Sequence, residues 1–403
     1  MGLFCIFATQ CPCFMQKITK LIYNKPFVFS LWFGLSFLIV LKGILTHQLF
    51  NNYLVFKYNF INTIHQHNLY TYQPEHFDDL NHYGPVFSLI IAPFALMPDS
   101  IGVLMWVMFN AFTLFKAIQL LPIKENQYVV ILLICAHELM TASANVQSNP
   151  MIAGLIILSF SFIKKKQDFW AALMIALGTF IKLYGIVGLA FFFFSENKLK
   201  FIGSFLFWSM VLFVLPMFIS SPAFIIQTYH DWYHDLIAKN TSNQGSMLQD
   251  ISVMGLIRRI FNYPGLKNMY VIAPGIVFFA LSYLRVKSFK FQEYQLLILS
   301  SALIFAIIFS SSSESSTYII AFAGVAIWYM NLNRPVTKYE MFLLIFALII
   351  TSLSPSDLFP RYIRMEYVVP YKLKALPCFL IWLKIVYETL TRDFSKQEKL
   401  EVL

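Results

Sequence analysis

The chain has 403 residues, of which 58% are hydrophobic and 12% charged, and its mean hydropathy is +0.66; soluble domains run at about 45–50% apolar and about 25% charged. That composition excludes a soluble enzyme or binding module and fits an integral membrane protein. The formal charge of +10 calls for no nucleic-acid partner, because it gathers in clusters between apolar runs, where a membrane protein keeps its cytoplasmic collar.

In chain order, apolar runs suited to a hydrocarbon core of about 30 Å occupy 27–46, 101–121, 128–144, 201–219, 268–285, 294–310, 317–330, 341–353 and 375–390. Shorter ones at 84–97, 150–163, 169–181 and 183–194 read as tilted, broken or paired half-helices. The predicted fold class is an all-α integral membrane protein of about 11–13 helices, with its site in outward-facing loops.

Lys and Arg mark the cytoplasmic side. Lys17, Lys20 and Lys25 precede the first span, and Lys164–Lys166, Arg285/Lys287/Lys290, Arg334/Lys338 and Arg392/Lys396/Lys399 follow later ones. Both termini are thereby placed in the cytoplasm, with 47–83 and 220–266 outside; heavy use of Phe, Ile, Asn, Lys and Tyr fits an AT-rich bacterial genome and so a bacterial inner membrane. The parity requires 169–194 to cross twice, with Lys182 at the outer turn; between 84 and 150 not every short segment can span.

The expected organisation is a cytoplasmic segment 1–26, one membrane domain 27–390 and a cytoplasmic tail 391–403. Cys5, Cys11, Cys13, Cys135 and Cys378 read as incidental thiols, since Cys-Pro-Cys is too tight and isolated for a zinc site.

The first outer loop holds a run rich in apolar residues from Leu54 to Ile64, dense enough for a helix lying in the interface. After it come Glu75, His76, Asp78, Asp79 and His82, a set able to work as acid and base or to hold a divalent cation; no metal ligand set is assigned. The second outer loop carries Tyr229, Asp231, Trp232, Asp235, Asn243, Gln244, Ser246, Arg258 and Arg259. Aromatic faces beside amides and carboxylates suit a sugar, and Arg suits a phosphate. Between these loops, Gln147, Asn149 and Lys182 are polar residues within apolar sequence. At membrane depth such groups are costly, about 2.5–3.5 kcal/mol for a central Lys on insertion scales, unless a cavity or ligand receives them.

In this order the motifs resemble glycosyltransferase family 87, membrane enzymes of the GT-C fold. Tyr83-Gly84-Pro85 stands for the family's Tyr-Pro-Pro, Val146-Gln147-Ser148-Asn149 for its Gly-Gln-x-Asn, Gly178-Thr-Phe-Ile-Lys182 for its Gly-rich helix ending in Lys, and Asn243-Gln244-Gly245-Ser246 for its Asn-Gln-Ser loop. The resemblance implies transfer of a hexose, mannose in the family, from a polyprenyl-phosphate donor to a lipid or glycan acceptor on the outer face of the membrane. It implies substrate contacts from Asn52, Tyr83, Gln147, Asn149, Lys182, Asn243, Gln244, Ser246, Arg258 and Arg259. One position departs: where the family has an Asp soon after the first span, this chain has Asn51-Asn52. Asn cannot accept a proton, so the candidate base moves to Asp79, Asp78 or Glu75. Two other classes share these features, a lipid or sugar-conjugate transporter and a polysaccharide ligase or polymerase; the first usually shows an internal repeat, which this sequence lacks.

Overall fold

The computed structural model describes residues 20–395, all-helical with no strand among them. Most of segment 1–26, the end of the tail 391–403, and Cys5, Cys11 and Cys13 lie outside the described residues.

Helix α1, Lys25–Leu45, begins where the Asn24 side chain accepts a hydrogen bond from Phe27 N and Pro26 fills the first turn, a normal helix start. Beyond a short turn, α2 (Asn51–His65) buries Tyr53, Val55, Phe56, Asn59, Asn62 and Thr63. The helix expected over Leu54–Ile64 is present, and its inner face meets protein. Next comes α3, Phe87–Ala95, nine residues long. It does not cross: the carbonyl of Phe94 accepts from Tyr53 OH at the start of α2 (2.8 Å), and Asp99 just after it pairs with Lys57 (2.6 Å). At 1.5 Å per residue α3 reaches only about 14 Å, which removes the parity conflict in 84–150.

From there α4 (Asp99–Gln119), α5 (Glu125–Ala144) and α6 (Asn149–Lys164) run to and fro. Then α7, Asp168–Ile181, turns at Lys182 and returns as a 3₁₀ helix, Leu183–Phe194. The Lys166–Glu196 pair (3.0 Å) ties the two lower ends together, so 168–194 runs out and back as a hairpin with Lys182 at its far turn, the path that the parity requires. The 3₁₀ geometry has a physical use. Its rise of about 2.0 Å lets twelve residues match the reach of the fourteen-residue α7, about 21–24 Å each.

The chain continues through α8 (Lys198–Val214), α9 (Pro222–Asn243), α10 (Val253–Ile260), α11 (Met269–Leu281), α12 (Gln292–Ile308), α13 (Tyr318–Met330), α14 (Lys338–Phe346, extended as π-helix to Leu353) and α15 (Ala375–Thr391). The second outer loop is thus mostly helix rather than the predicted polar loop. Its start was written in the sequence: Ser221 caps Phe224 N and Pro222 opens α9.

Among the described residues four helices are long and apolar enough to cross a membrane, Lys25–Leu45, Asp99–Gln119, Glu125–Ala144 and Lys198–Phe218. The shorter apolar helices run between the same two ends. One end is tied by the Lys25–Glu125 ion pair and by Gln127 to the Met330 carbonyl (3.2 Å) and Asn331 to that of Glu293 (2.7 Å). At the other, Asn52 reaches the Asn145 carbonyl (2.8 Å) and Asn149 that of Ser316 (3.1 Å). The apolar passes α12 and α13 are buried almost all round, as expected of helices at the centre of a bundle. Around them the chain forms an integral membrane all-α protein.

Candidate functional site

The second of these ends holds a cavity of about 460 Å³, lined by residues that include Asn52, Asp79, His82, Tyr83, Gln147, Lys182, Tyr184, Lys239, Gln249 and Glu314. Its size is in the range of small-molecule sites, about 300–1,000 Å³.

Its floor is a bonded set. Lys182 Nζ donates to Asn149 Oδ1 (3.0 Å), and Asn149 Nδ2 donates to the Ser316 carbonyl (3.1 Å). Tyr83 OH lies 3.2 Å from Gln147 Oε1 and 2.9 Å from Ser148 Oγ, and its ring stacks on Phe87 at 4.3 Å. The ammonium of Lys182 sits 5.4 Å from the rings of both Tyr83 and Tyr184, within cation–π range. A snorkelling lysine would extend into water. This one turns inward over two aromatic faces.

The turn that presents Lys182 depends on a close backbone approach. Gly84 N donates to the Ile181 carbonyl (3.2 Å), and a Cβ at Gly84 would overlap the Phe180 carbonyl oxygen and press on Trp232. The absence of a side chain there brings Tyr83 beside Lys182. Gly84→Ala is expected to destabilise the protein by about 1–3 kcal/mol, the usual range for overpacking, read as a lower unfolding temperature in detergent. An unchanged midpoint would show that the two segments slide apart freely.

Helix α9 clamps the first outer loop over the cavity. Trp232 Nε1 donates to the His82 carbonyl (3.0 Å), His82 Nδ1 is 2.8 Å from Asp235 Oδ2, and Asn68 donates to Asp231 (3.0 Å). Two of the loop's histidines have partners: His76 stacks on Tyr58 at 4.1 Å, and His82 pairs with Asp235. Among the described residues no group of three or more His, Cys, Asp or Glu is placed to hold a metal ion, so the structure lends the cation reading of the 75–82 cluster no support.

Asn52, Tyr83, Gln147, Lys182 and Asp79 converge on one cavity, with Asn149 directly beneath Lys182. Other predicted residues stand apart. Glu75 and Asp78 are exposed and do not line it. Asn243 is buried against Ser312 (3.0 Å) behind the wall, and Gln244 lies outside as the end of α9. Ser246 shapes the next turn by accepting from Leu248 N and Gln249 N. Arg258 is 4% exposed and pairs with Asp250 and Asn268; Arg259 donates to the Gly245 carbonyl (3.2 Å). Neither arginine lines the cavity. A string of residues says that Arg follows a polar loop, but not that an Asp eight positions earlier has already claimed it.

The sequence reading missed the opposite wall, Ser310, Ser311, Ser312 and Glu314. The serine run 310–313 with a single carboxylate between two apolar spans was the available signal.

The profile of glycosyltransferase family 87 matches residues 81–312, a segment that begins at the cavity's acidic loop and ends in its serine wall. No curated protein matches the chain significantly.

Proposed function

The chain belongs to glycosyltransferase family 87, and we propose that it moves a hexose, mannose by the family resemblance, from a polyprenyl-phosphate donor to a lipid or glycan acceptor at this cavity. As a membrane glycosyltransferase it needs a sugar donor and an acceptor; the lipid-phosphate donor and the outer-face location are the proposal.

One observation carries it. Two lysines, two tyrosines and four amides meet in one cavity at the end of a membrane bundle, where a sugar phosphate finds a cation, ring faces and paired hydrogen bonds together. The negative charge that develops on the leaving phosphate is steadied by Lys182, fixed before the reaction begins. The basic end of the bundle, with Lys25, Lys124, Lys164–Lys166 and Arg285, faces the cytoplasm under the positive-inside rule. On that orientation the proposed cavity opens at the outer leaflet of a bacterial inner membrane, where a lipid-linked donor reaches it from the side.

The attacking hydroxyl also loses a proton, which requires a carboxylate at the cavity. Of the three in the first outer loop, Asp79 is the one that lines it, and Asn52, which the resemblance sets at the family's Asp position, lines it too. Asn52→Asp is accordingly expected to keep or raise the initial transfer rate, because it restores a proton acceptor in a tolerated place. A rate below one tenth of the parent would make Asn52 a substrate contact that depends on its amide.

Site occupancy is tested by photo-crosslinking with a polyprenyl-phosphate hexose carrying a diazirine beside the phosphate. Peptides covering 79–84, 147–149 or 182–184 should be labelled, and excess unlabelled donor should suppress the labelling. Labelling confined to the opposite end, around 122–127 and 330–334, would defeat the reading.

A further inference from the structure

Two carboxylates line the cavity, and they are held very differently. Asp79 is exposed on the acidic loop, where its Oδ1 accepts from the next residue's N–H, Leu80 N (2.8 Å). Glu314 is half-buried in the serine wall. Its Oε1 accepts from Ser316 Oγ (3.0 Å), its Oε2 from Gln249 Nε2 (3.3 Å), and its backbone N donates to Thr317 Oγ1 (3.1 Å).

The same turn is bonded to the cavity's cation. The Ser316 carbonyl accepts from Asn149, and Asn149 accepts from Lys182. From behind, Lys374 Nζ donates to both the carbonyl and the hydroxyl of Ser315 (3.0 Å each). Carboxylate and ammonium therefore stand in one hydrogen-bonded frame, and a catalytic group must keep its place relative to the reacting bond. Among the described residues no Lys, Arg or His lies within ion-pair distance of the Glu314 carboxylate, so its charge is not spent on a structural bridge.

We infer that Glu314 is the general base of the transfer, taking the acceptor's proton from the serine wall while Lys182 faces the leaving phosphate. The inference rests on the glycosyltransferase reading given above. In the step, the acceptor O–H proton passes to a Glu314 oxygen and the acceptor oxygen bonds the anomeric carbon. The bond from that carbon to the donor's phosphate oxygen breaks, its electron pair leaving with the polyprenyl phosphate. Glu314 then returns the proton to water. Asp79 at the cavity mouth is left to orient the acceptor.

The test uses the full chain, purified in detergent with polyprenyl-phosphate radiolabelled hexose and a membrane-lipid extract as acceptor. Glu314→Gln keeps an oxygen that accepts from Ser316 Oγ, and its amide nitrogen can donate to Gln249 once that amide is flipped, so a purely structural role survives it. Loss of a general base should lower kcat by about 100-fold or more, with donor affinity within about twofold of the parent and the acid limb of the pH–rate profile abolished. Asp79→Asn should stay within about tenfold of the parent. Should Glu314→Gln fold poorly, Glu314→Ala with added formate is the second variant, and formate should restore part of the turnover.

Glu314→Gln at the parental rate, Asp79→Asn showing the large loss, or an inactive Glu314→Ala that formate leaves unchanged would each overturn the assignment. A parent that binds donor and makes no product with any acceptor extract would instead bring down the transferase reading beneath it. The arms separate the two failures.

Discussion

Lys182→Met is expected to lower turnover about a hundredfold, the usual loss when one preorganised donor to a developing negative charge is removed. The side chain is nearly isosteric, so packing against Tyr83 and Tyr184 persists while the charge and the bond to Asn149 vanish. The effect should fall on kcat at saturating donor, since the charge on the leaving oxygen is greatest in the transition state. Lys182→Arg should recover little: a planar fork does not replace a compact ammonium held between two rings. Full activity of Lys182→Met would reduce this residue to a space-filler at a helix turn.

The second large effect is on stability. Glu138 on α5 and Lys374 before α15 are both buried, with Lys374 Nζ 3.1 and 3.4 Å from the two carboxylate oxygens. Lys374 also holds Ser315, so the pair bolts the bundle core to the serine wall. Removing one partner leaves a charge in a dry interior, a loss of about 3–5 kcal/mol. Lys374→Met alone should therefore lower the unfolding midpoint sharply. Lys374→Met combined with Glu138→Leu should recover much of the loss, because two apolar residues leave no orphaned charge. A double variant no more stable than Lys374→Met would show that the bond to Ser315, rather than the ion pair, carries the effect.

The fold and half of the site were legible for one shared reason. Polar residues that interrupt apolar sequence are costly in lipid, so Gln147, Asn149 and Lys182 announce themselves, and the apolar runs around them delimit the passes. That 169–194 doubles back at Lys182 was legible from charge parity alone. Residues 84–97 stayed ambiguous because a nine-residue helix with Pro93 inside has the composition of a span without its length. The amphipathic α9 was taken for a loop because its mean polarity masked the Ser221–Pro222 start signal.

The second half of the site was hidden because polar residues in polar loops carry no such mark. Arg258 and Arg259 looked like phosphate ligands, yet Asp250, Asn268 and backbone carbonyls already hold them. Glu314, in a short polar stretch between two apolar spans, went unread, yet the turn of α12 into α13 sets it on the cavity that Asn52 also lines. Such residues are sorted by which loops the bundle brings together, a property of packing rather than of local pattern.

The most direct test of the central claim is made on purified protein in sealed vesicles, with polyprenyl-phosphate labelled in its hexose and a membrane-lipid extract as acceptor. The label is followed by chromatography together with its sidedness. A transferase working at this cavity converts the donor to a new labelled glycolipid or glycan and releases polyprenyl phosphate in equal amount, and the Lys182→Met protein does neither. Intact donor that crosses the bilayer with no labelled product would contradict the account and make the cavity a passage for lipid-linked sugar.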